Sequence, residues 1–137
     1  MMGAGIVVLK RFGNDYKVLC LYEEKRKTGI RKYDLTKGAV DKGESFIQAA
    51  IRETYEESGV KNLNFKWGKR SLEKGKIRMF IAETNDDPKL LKNPKTGNYE
   101  HDGFEWNDFD PAFVLMPSYL KPFIKWATKI VNGDKNV

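Results

Sequence analysis

Apolar and polar positions along this chain fall into short blocks, and the period of each block predicts an element. AGIVVLKR, from Ala4 to Arg11, is an almost unbroken apolar run and predicts a buried strand. YKVLCLYEE, from Tyr16 to Glu24, predicts a second, with GND (Gly13–Asp15) as the hairpin turn between them. A charged loop, EEKRKTGIRK, bends at Gly29 and leads into RKYDL, a short strand with Arg31, Tyr33 and Leu35 on one face. NLNFKWGKR and KIRMFIAE predict two further strands, the second with Ile77, Met79 and Ile81 sharing a face. EWNDF predicts a last strand after a long polar connection, Thr84 to Gly103.

Helical periodicity appears between and after these strands. Ser45 followed by Gln48 forms a capping box, and Gly59 supplies a left-handed C-terminal cap. Ile47, Ala50, Ile51, Thr54 and Ser58 then fall within about 100° of arc and predict a face packed on a sheet. Asp110-Pro111 marks a second helix start, with proline at its first position. SYLKPFIKWATKIV predicts a closing helix with Phe123, Trp126 and Ile130 at helical spacing, Pro122 lying in its first turn or at its true start. Strands combined with two or three helices predict a layered α/β or α+β domain spanning residues 1–137.

Composition narrows the function classes. Hydrophobic residues at 40% and charged residues at 32% suit a folded soluble protein and argue against a disordered chain. Cys20 is the single cysteine and has no disulfide partner within the chain, which points to a reducing, cytoplasmic setting. No apolar run approaches the roughly 20 residues of a spanning helix, so no membrane association is expected. The net charge of +6 favours a polyanionic partner, phosphates or nucleic acid. Neither an RRM-type aromatic motif nor zinc-finger spacing is present.

Against this basic background, Glu53, Glu56 and Glu57 sit at i, i+3 and i+4 of the capped helix, with no lysine in the helix to offset them. Like charges at these spacings each cost a few tenths of a kcal/mol. A hard divalent cation reverses that sign, because clustered oxygens are what it binds. Three glutamates taken alone read more readily as a solvated acidic face.

The longer spacing separates the two readings. Gly38, Glu44, Arg52, Glu53, Glu56, Glu57 and Gly59 resemble the Nudix box, the signature of hydrolases acting on nucleoside diphosphates linked to another moiety. A chance match at these positions in one register is on the order of 10⁻⁸ to 10⁻⁹. Thr54 departs from the pattern, standing where the family carries an aliphatic residue. The resemblance implies an α/β/α sandwich around a mixed β-sheet and a Mg²⁺-dependent phosphoanhydride hydrolase, with Mn²⁺ able to substitute. It further implies that Glu56 and Glu57 are the main metal ligands, joined by Glu53 and by the backbone carbonyl of Gly38. Arg52 and Glu44 match a supporting pair in the catalytic set with Glu53 and Glu57, and Glu53 is one candidate for the general base. Glu100, opening EHDGFEW, resembles the distal glutamate of RNA pyrophosphohydrolases and diadenosine tetraphosphate hydrolases, with Asp102 and Glu105 as competitors.

Substrate contacts are expected from Arg31, Lys32, Lys37 and Arg78 as a basic rim, and from Tyr33 as a stacking aromatic or, equally, a core residue. His101, the only histidine, is expected to be a polar loop residue. SLEKGKI lacks the proline that would suggest ADP-ribose. The expected substrate is a dinucleoside polyphosphate or the triphosphorylated or capped 5′ end of RNA. A diphosphoinositol polyphosphate is the alternative, since a lysine-rich site also suits that anion. A non-catalytic nucleotide- or RNA-binding module is a further alternative, but degenerate modules lose box glutamates and this chain keeps them.

Overall fold

The structure, a computed structural model, describes residues 2–133. β1 (Gly3–Phe12) and β2 (Asp15–Glu24) form a hairpin whose tight turn places Gly13 at φ 65°, a left-handed conformation that glycine adopts without strain. The two strands pair only where Leu9–Phe12 meets Asp15–Val18, and beyond that they diverge. Into the fork run β3 (Arg31–Asp34), paired with the end of β2, and β4 (Thr36–Ala39), paired with the start of β1. α1 (Phe46–Ser58) follows. β5 (Ser71–Lys74) and β6 (Ile77–Glu83) extend the sheet, β6 parallel to β1 along Gly3–Leu9. β7 (Gly103–Asn107) lines the other side of β2, and α2 (Phe109–Leu115) and α3 (Lys121–Val131) close the fold.

The seven strands form one mixed sheet with a core on each face. Ala4, Ile6, Val8, Leu19 and Leu21 meet Ala49 and Ala50 of α1 on one side. Val7, Leu9, Cys20, Met79 and Ile81 meet Ala112, Phe123, Ile124 and Ala127 on the other. Alternate residues of β1 therefore enter opposite cores, which is why its sequence is continuously apolar. The result is the expected α/β/α sandwich. Cys20 is fully buried, and burial pushes its thiol up to about 12.

Both ends of α1 match the sequence reading. The Ser45 and Gln48 halves of the capping box are made, and Gly59 takes φ 74°. A Cβ on Gly59 would also crowd the Lys89 carbonyl at 2.7 Å. Its buried face is rotated, however: Glu57 faces inward with Ala50, Thr54 and Ser58, while Ile51 is 38% exposed. NLNFKWGKR is not a strand. It contributes one bridge, Asn64 to Glu83, before turning at Gly68, where Trp67 packs edge-on against Tyr16 at 5.3 Å. The strand beside β6 is instead SLEK, joined through Gly75 at φ 59°. β4 escaped prediction because TKGA has no apolar alternation; its ladder to β1 supplies what its side chains do not. α2 begins at Phe109 with Pro111 third, and α3 begins at Lys121 with Pro122 second, so Ser118–Leu120 precede it.

Thr54, the departure from the box pattern, is fully buried and donates to Thr36 Oγ1 at 3.0 Å, and Thr36 donates to the Ile6 carbonyl at 3.0 Å. The hydroxyl is thus accommodated by a polar relay across the α1–β4–β1 junction. Thr54→Val leaves Thr36 its acceptor, whereas Thr36→Val removes the acceptor of a buried hydroxyl. Chemical denaturation should show Thr36→Val losing about 1–3 kcal/mol and Thr54→Val distinctly less. Equal losses would discount the relay.

Candidate active site

Arg52, in the middle of α1, organises the acidic residues around it. Its Nε and Nη2 donate to the two oxygens of Glu44 at 2.7 and 3.0 Å, a two-pronged pairing that suits a planar guanidinium. Nη1 donates to Glu53 Oε1 at 2.9 Å and to Glu56 Oε2 at 3.1 Å, and Nη2 also reaches the Ala39 carbonyl at 2.9 Å. The helix, the loop before it and the end of β4 are therefore tied to one cation. With these partners the guanidinium is held still more firmly protonated than usual, first through Glu44 and then, against a partial cost of burial, through Glu53.

Gly38 lets the Glu53 carboxyl come close, since a Cβ there would collide with it and push it aside. Glu53 is raised above its ordinary pKa by burial, with Arg52 opposing and Glu56 and Glu100 adding to the rise. Glu57 lies deeper, 8% exposed, and accepts the backbone N–H of Lys37 at 2.9 Å. Burial, then its hydrogen bond with Glu100, pushes its carboxyl up to about 10. Glu100 comes from the loop before β7 and accepts from the side-chain amide of Asn93. That loop closes on itself, with Asn93 N–H on the Asn98 carbonyl at 2.7 Å and Gly97 N–H on the Asn93 carbonyl at 2.8 Å. One donor atom each from Glu57, Glu100 and His101 lie within 4.8 Å of one another.

These groups line a cleft of about 670 Å³. Its wall carries six carboxylates (Glu23, Asp34, Glu53, Glu56, Glu57, Glu100) against three cations (Lys37, Arg52, Lys95). A basic protein thus has an acidic cleft. Glu53, Glu56, Glu57, Glu100 and Gly38 are brought together here, as are Arg52 and Glu44 beside them. Lys37 also lines it, its ammonium 3.1 Å from Asp34 and its pKa raised: burial lowers it, but Asp34 and then Tyr119 outweigh that.

The rest of the expected rim lies elsewhere. Arg31 pairs with Glu24 at 2.9 Å and with Glu105, and its guanidinium stacks 4.0 Å over Tyr22. Tyr33 donates to Glu105 at 3.2 Å and packs, partly buried, against the α2–α3 core, outside the cleft lining. Lys32 is exposed on β3, across from Glu23, outside the cleft lining. Arg78 is held by Glu73 at 2.7 Å and covers Phe46 at 4.6 Å, also outside that lining. Strand register explains Arg31 and Tyr33, which alternation sends with Glu105 to the face away from α1; Lys32 and Arg78 share α1's face but lie outside the cleft lining. Of Glu100's competitors, Glu105 is consumed by Arg31, Tyr33 and Asn107, and Asp102 accepts the Glu24 N–H at 2.7 Å.

A family profile described as a NUDIX domain matches residues 1–127. The chain belongs to the Nudix hydrolase family. An RNA pyrophosphohydrolase of Brucella anthropi is 30% identical over 112 residues, 66% of this chain and 62% of that relative, so this Nudix chain spans less than two-thirds of its length. A Caenorhabditis elegans Ap4A hydrolase binary complex superposes with TM-score 0.73 at 21% identity, covering 96% of this chain and 98% of the other. A MutT protein from Methanosarcina mazei superposes with TM-score 0.63, also at 21% identity, over 98% and 95% of the two chains. At these identities the two structures speak for the fold.

Sequence reasoning missed Asp34, Asn93, Lys95 and Tyr99 as members of the Nudix cleft, and it placed His101 as an ordinary loop residue although it is buried. Only the adjacency of His101 to Glu100 hinted otherwise. The raised carboxyl of Glu57 has a thermodynamic consequence without metal. Between its ordinary value of 4.5 and about 10 the folded state binds a proton that the unfolded state has released. That contribution to stability is complete at low pH and lost as pH rises through this window. Thermal denaturation in chelator should show Tm falling between about pH 5 and 9, with a flatter profile in Glu57→Gln. A Tm that rises with pH alike in both proteins would refute the assignment.

Proposed function

We propose that this Nudix protein is a divalent-metal-dependent pyrophosphohydrolase, with Mg²⁺ the ordinary ion and Mn²⁺ a substitute. Its substrates on this reading are dinucleoside polyphosphates of the diadenosine tetraphosphate type or the 5′ triphosphate end of RNA. The observation that carries it is the cleft's six carboxylates against three cations, a surface that would repel a polyphosphate unless a cation intervened. The site fits such an ion by its chemistry: hard oxygen donors, a carboxyl whose pKa is raised first by burial and then by Glu100 where no cation offsets them, and a glycine that lets the Glu53 carboxyl come close. Glu53, Glu56, Glu57, Glu100 and the Gly38 carbonyl would hold it. A bound divalent ion neutralises phosphate charge and makes water acidic enough to attack a phosphoanhydride.

The remaining work falls to the chain itself. Arg52 and Glu44 keep Glu53 and Glu56 in place, so the donors need no reorganisation when substrate arrives. Glu53 Oε1 is engaged by Arg52, which leaves Oε2 to take the proton from the attacking water, and burial raises its basicity above that of an ordinary carboxylate. Lys37 and Lys95 line the same cleft and would be the cations available to phosphate oxygens, and the exposed ring of Tyr99 offers a stacking surface for a base.

The deciding experiment is a panel of diadenosine tetraphosphate, triphosphorylated and capped RNA, ADP-ribose and a diphosphoinositol polyphosphate, each with Mg²⁺ and with products read by mass. ATP with AMP, or a 5′-monophosphate RNA end, is the expected result. Turnover of the inositol compound alone would move the substrate while leaving the chemistry. Glu56→Gln and Glu57→Gln should each lower kcat at least about a hundredfold, the scale of a major electrostatic contribution, with the fold intact by circular dichroism. Near-normal turnover in both would end the metal reading.

Glu100 and Glu105 give a sharper comparison. Glu100→Gln should reduce kcat with little change in KM, while Glu105→Gln, on the far face of the sheet, should leave turnover nearly unchanged. The opposite pattern, with Glu105 essential, would remove Glu100 from the site. Arg52→Lys should impair turnover more than stability, because lysine keeps the charge and loses the planar fork. A large loss of Tm at normal specific activity would make Arg52 purely structural.

A further inference from the structure

His101 is the chain's only histidine, and it is 8% exposed although it lies in a loop. A buried imidazole in a connection between strands needs a reason to be there. Part of it is Asp34, whose Oδ2 lies 3.4 Å from His101 Nε2. Asp34 is itself immobilised, accepting the Leu35 N–H at 2.9 Å and pairing with the Lys37 ammonium at 3.1 Å. The remainder is the cleft, where Glu57 and Glu100 each bring an oxygen atom into a group with one ring nitrogen of His101 no wider than 4.8 Å. Ligands around one ion, at bond lengths of about 2.0–2.3 Å, are separated by roughly that span or less. Histidines that ligate metals regularly give their second ring nitrogen to a carboxylate, which fixes both tautomer and ring orientation. Asp34 is a carboxylate within reach of His101 for that role, and both residues line the acidic cleft.

We propose that His101 is a nitrogen ligand of the metal ion held by the Nudix-box glutamates, and that it tilts the site from Mg²⁺ towards transition-metal ions such as Mn²⁺ and Co²⁺. This rests on the metal-dependent reading above and adds a donor that the box does not contain. The physical ground for the tilt is donor type. Mg²⁺ takes oxygen ligands and gives up water reluctantly, whereas affinity for imidazole rises along the first-row transition ions. The residue following the distal glutamate would then set metal preference.

Pulsed electron paramagnetic resonance on the untagged 137-residue chain loaded with Mn²⁺ tests this without any assay of turnover. Because the chain has a single histidine, ring-¹⁵N-labelled histidine marks one site alone. The expected result is a ¹⁴N modulation of directly bonded strength that converts to the ¹⁵N pattern on labelling. By titration calorimetry, His101→Gln should lose about tenfold or more in affinity for Mn²⁺ and Co²⁺ while Mg²⁺ changes far less. Stoichiometric Mn²⁺ binding with no label-sensitive coupling would overturn the ligand assignment and leave the metal reading standing. Failure to bind Mn²⁺ at all would overturn both. The wild-type spectrum decides the matter even if the variant does not fold.

Discussion

A single guanidinium holds the box together. Arg52 grips Glu44 with two nitrogens, Glu53 and Glu56 with a third, and the Ala39 carbonyl besides. Without it, Glu53 and Glu56, both on one helix, would repel, and the loop bearing Glu44 would lose its tether. Such half-buried networks are valued for geometry more than for stability, since desolvation offsets much of the Coulomb attraction. Here the geometry is a set of carboxyl oxygens kept close to Gly38 and to the mouth of the cleft.

The fork between β1 and β2 gives that network its location. Both strands pair at the hairpin end, separate, and take up β3 and β4 between them, so Asp34, Lys37 and Gly38 arrive opposite the middle of α1. The Lys37 N–H reaches Glu57 from one side, and the loop before β7 delivers Glu100 and His101 from the other. The β3–β4 segment just before the helix and a loop some forty residues after it thus meet around one helix face. The Thr54–Thr36–Ile6 relay runs beneath them and ties the helix to both β4 and β1.

Charge is distributed against the global trend. The chain carries +6, yet acidic groups outnumber basic ones in the cleft. Several basic residues that looked like a rim are committed elsewhere: Arg31 to Glu24 and Glu105, Arg78 to Glu73. A diffuse positive surface steers anions over long range, while the local field at the cleft favours a cation first and a phosphate second. The two scales are compatible because they act at different distances.

The seven-position spacing from Gly38 to Gly59 was readable from sequence because its residues lie on consecutive segments, the end of β4, one loop and one helix with its cap, so the spacing along the chain is itself the signal. The capping box and Gly59 were readable for the same reason, as were the long apolar strands. β4 and SLEK were not, since each is a strand through its partner's backbone and carries little pattern of its own. NLNFKWGKR misled in the opposite sense, its aromatic content serving packing around Tyr16 rather than a ladder. Which of Glu100, Asp102 and Glu105 enters the cleft depended on the register of β7 against β2, where a shift of one residue exchanges faces. The inward turn of Glu57, the burial of His101 and its meeting with Asp34 are likewise tertiary. Sequence determined the chemistry that is local to one helix and its loop; the fold decided the donors from distant segments, because strand pairing across the chain leaves no periodic trace at the residues it brings together.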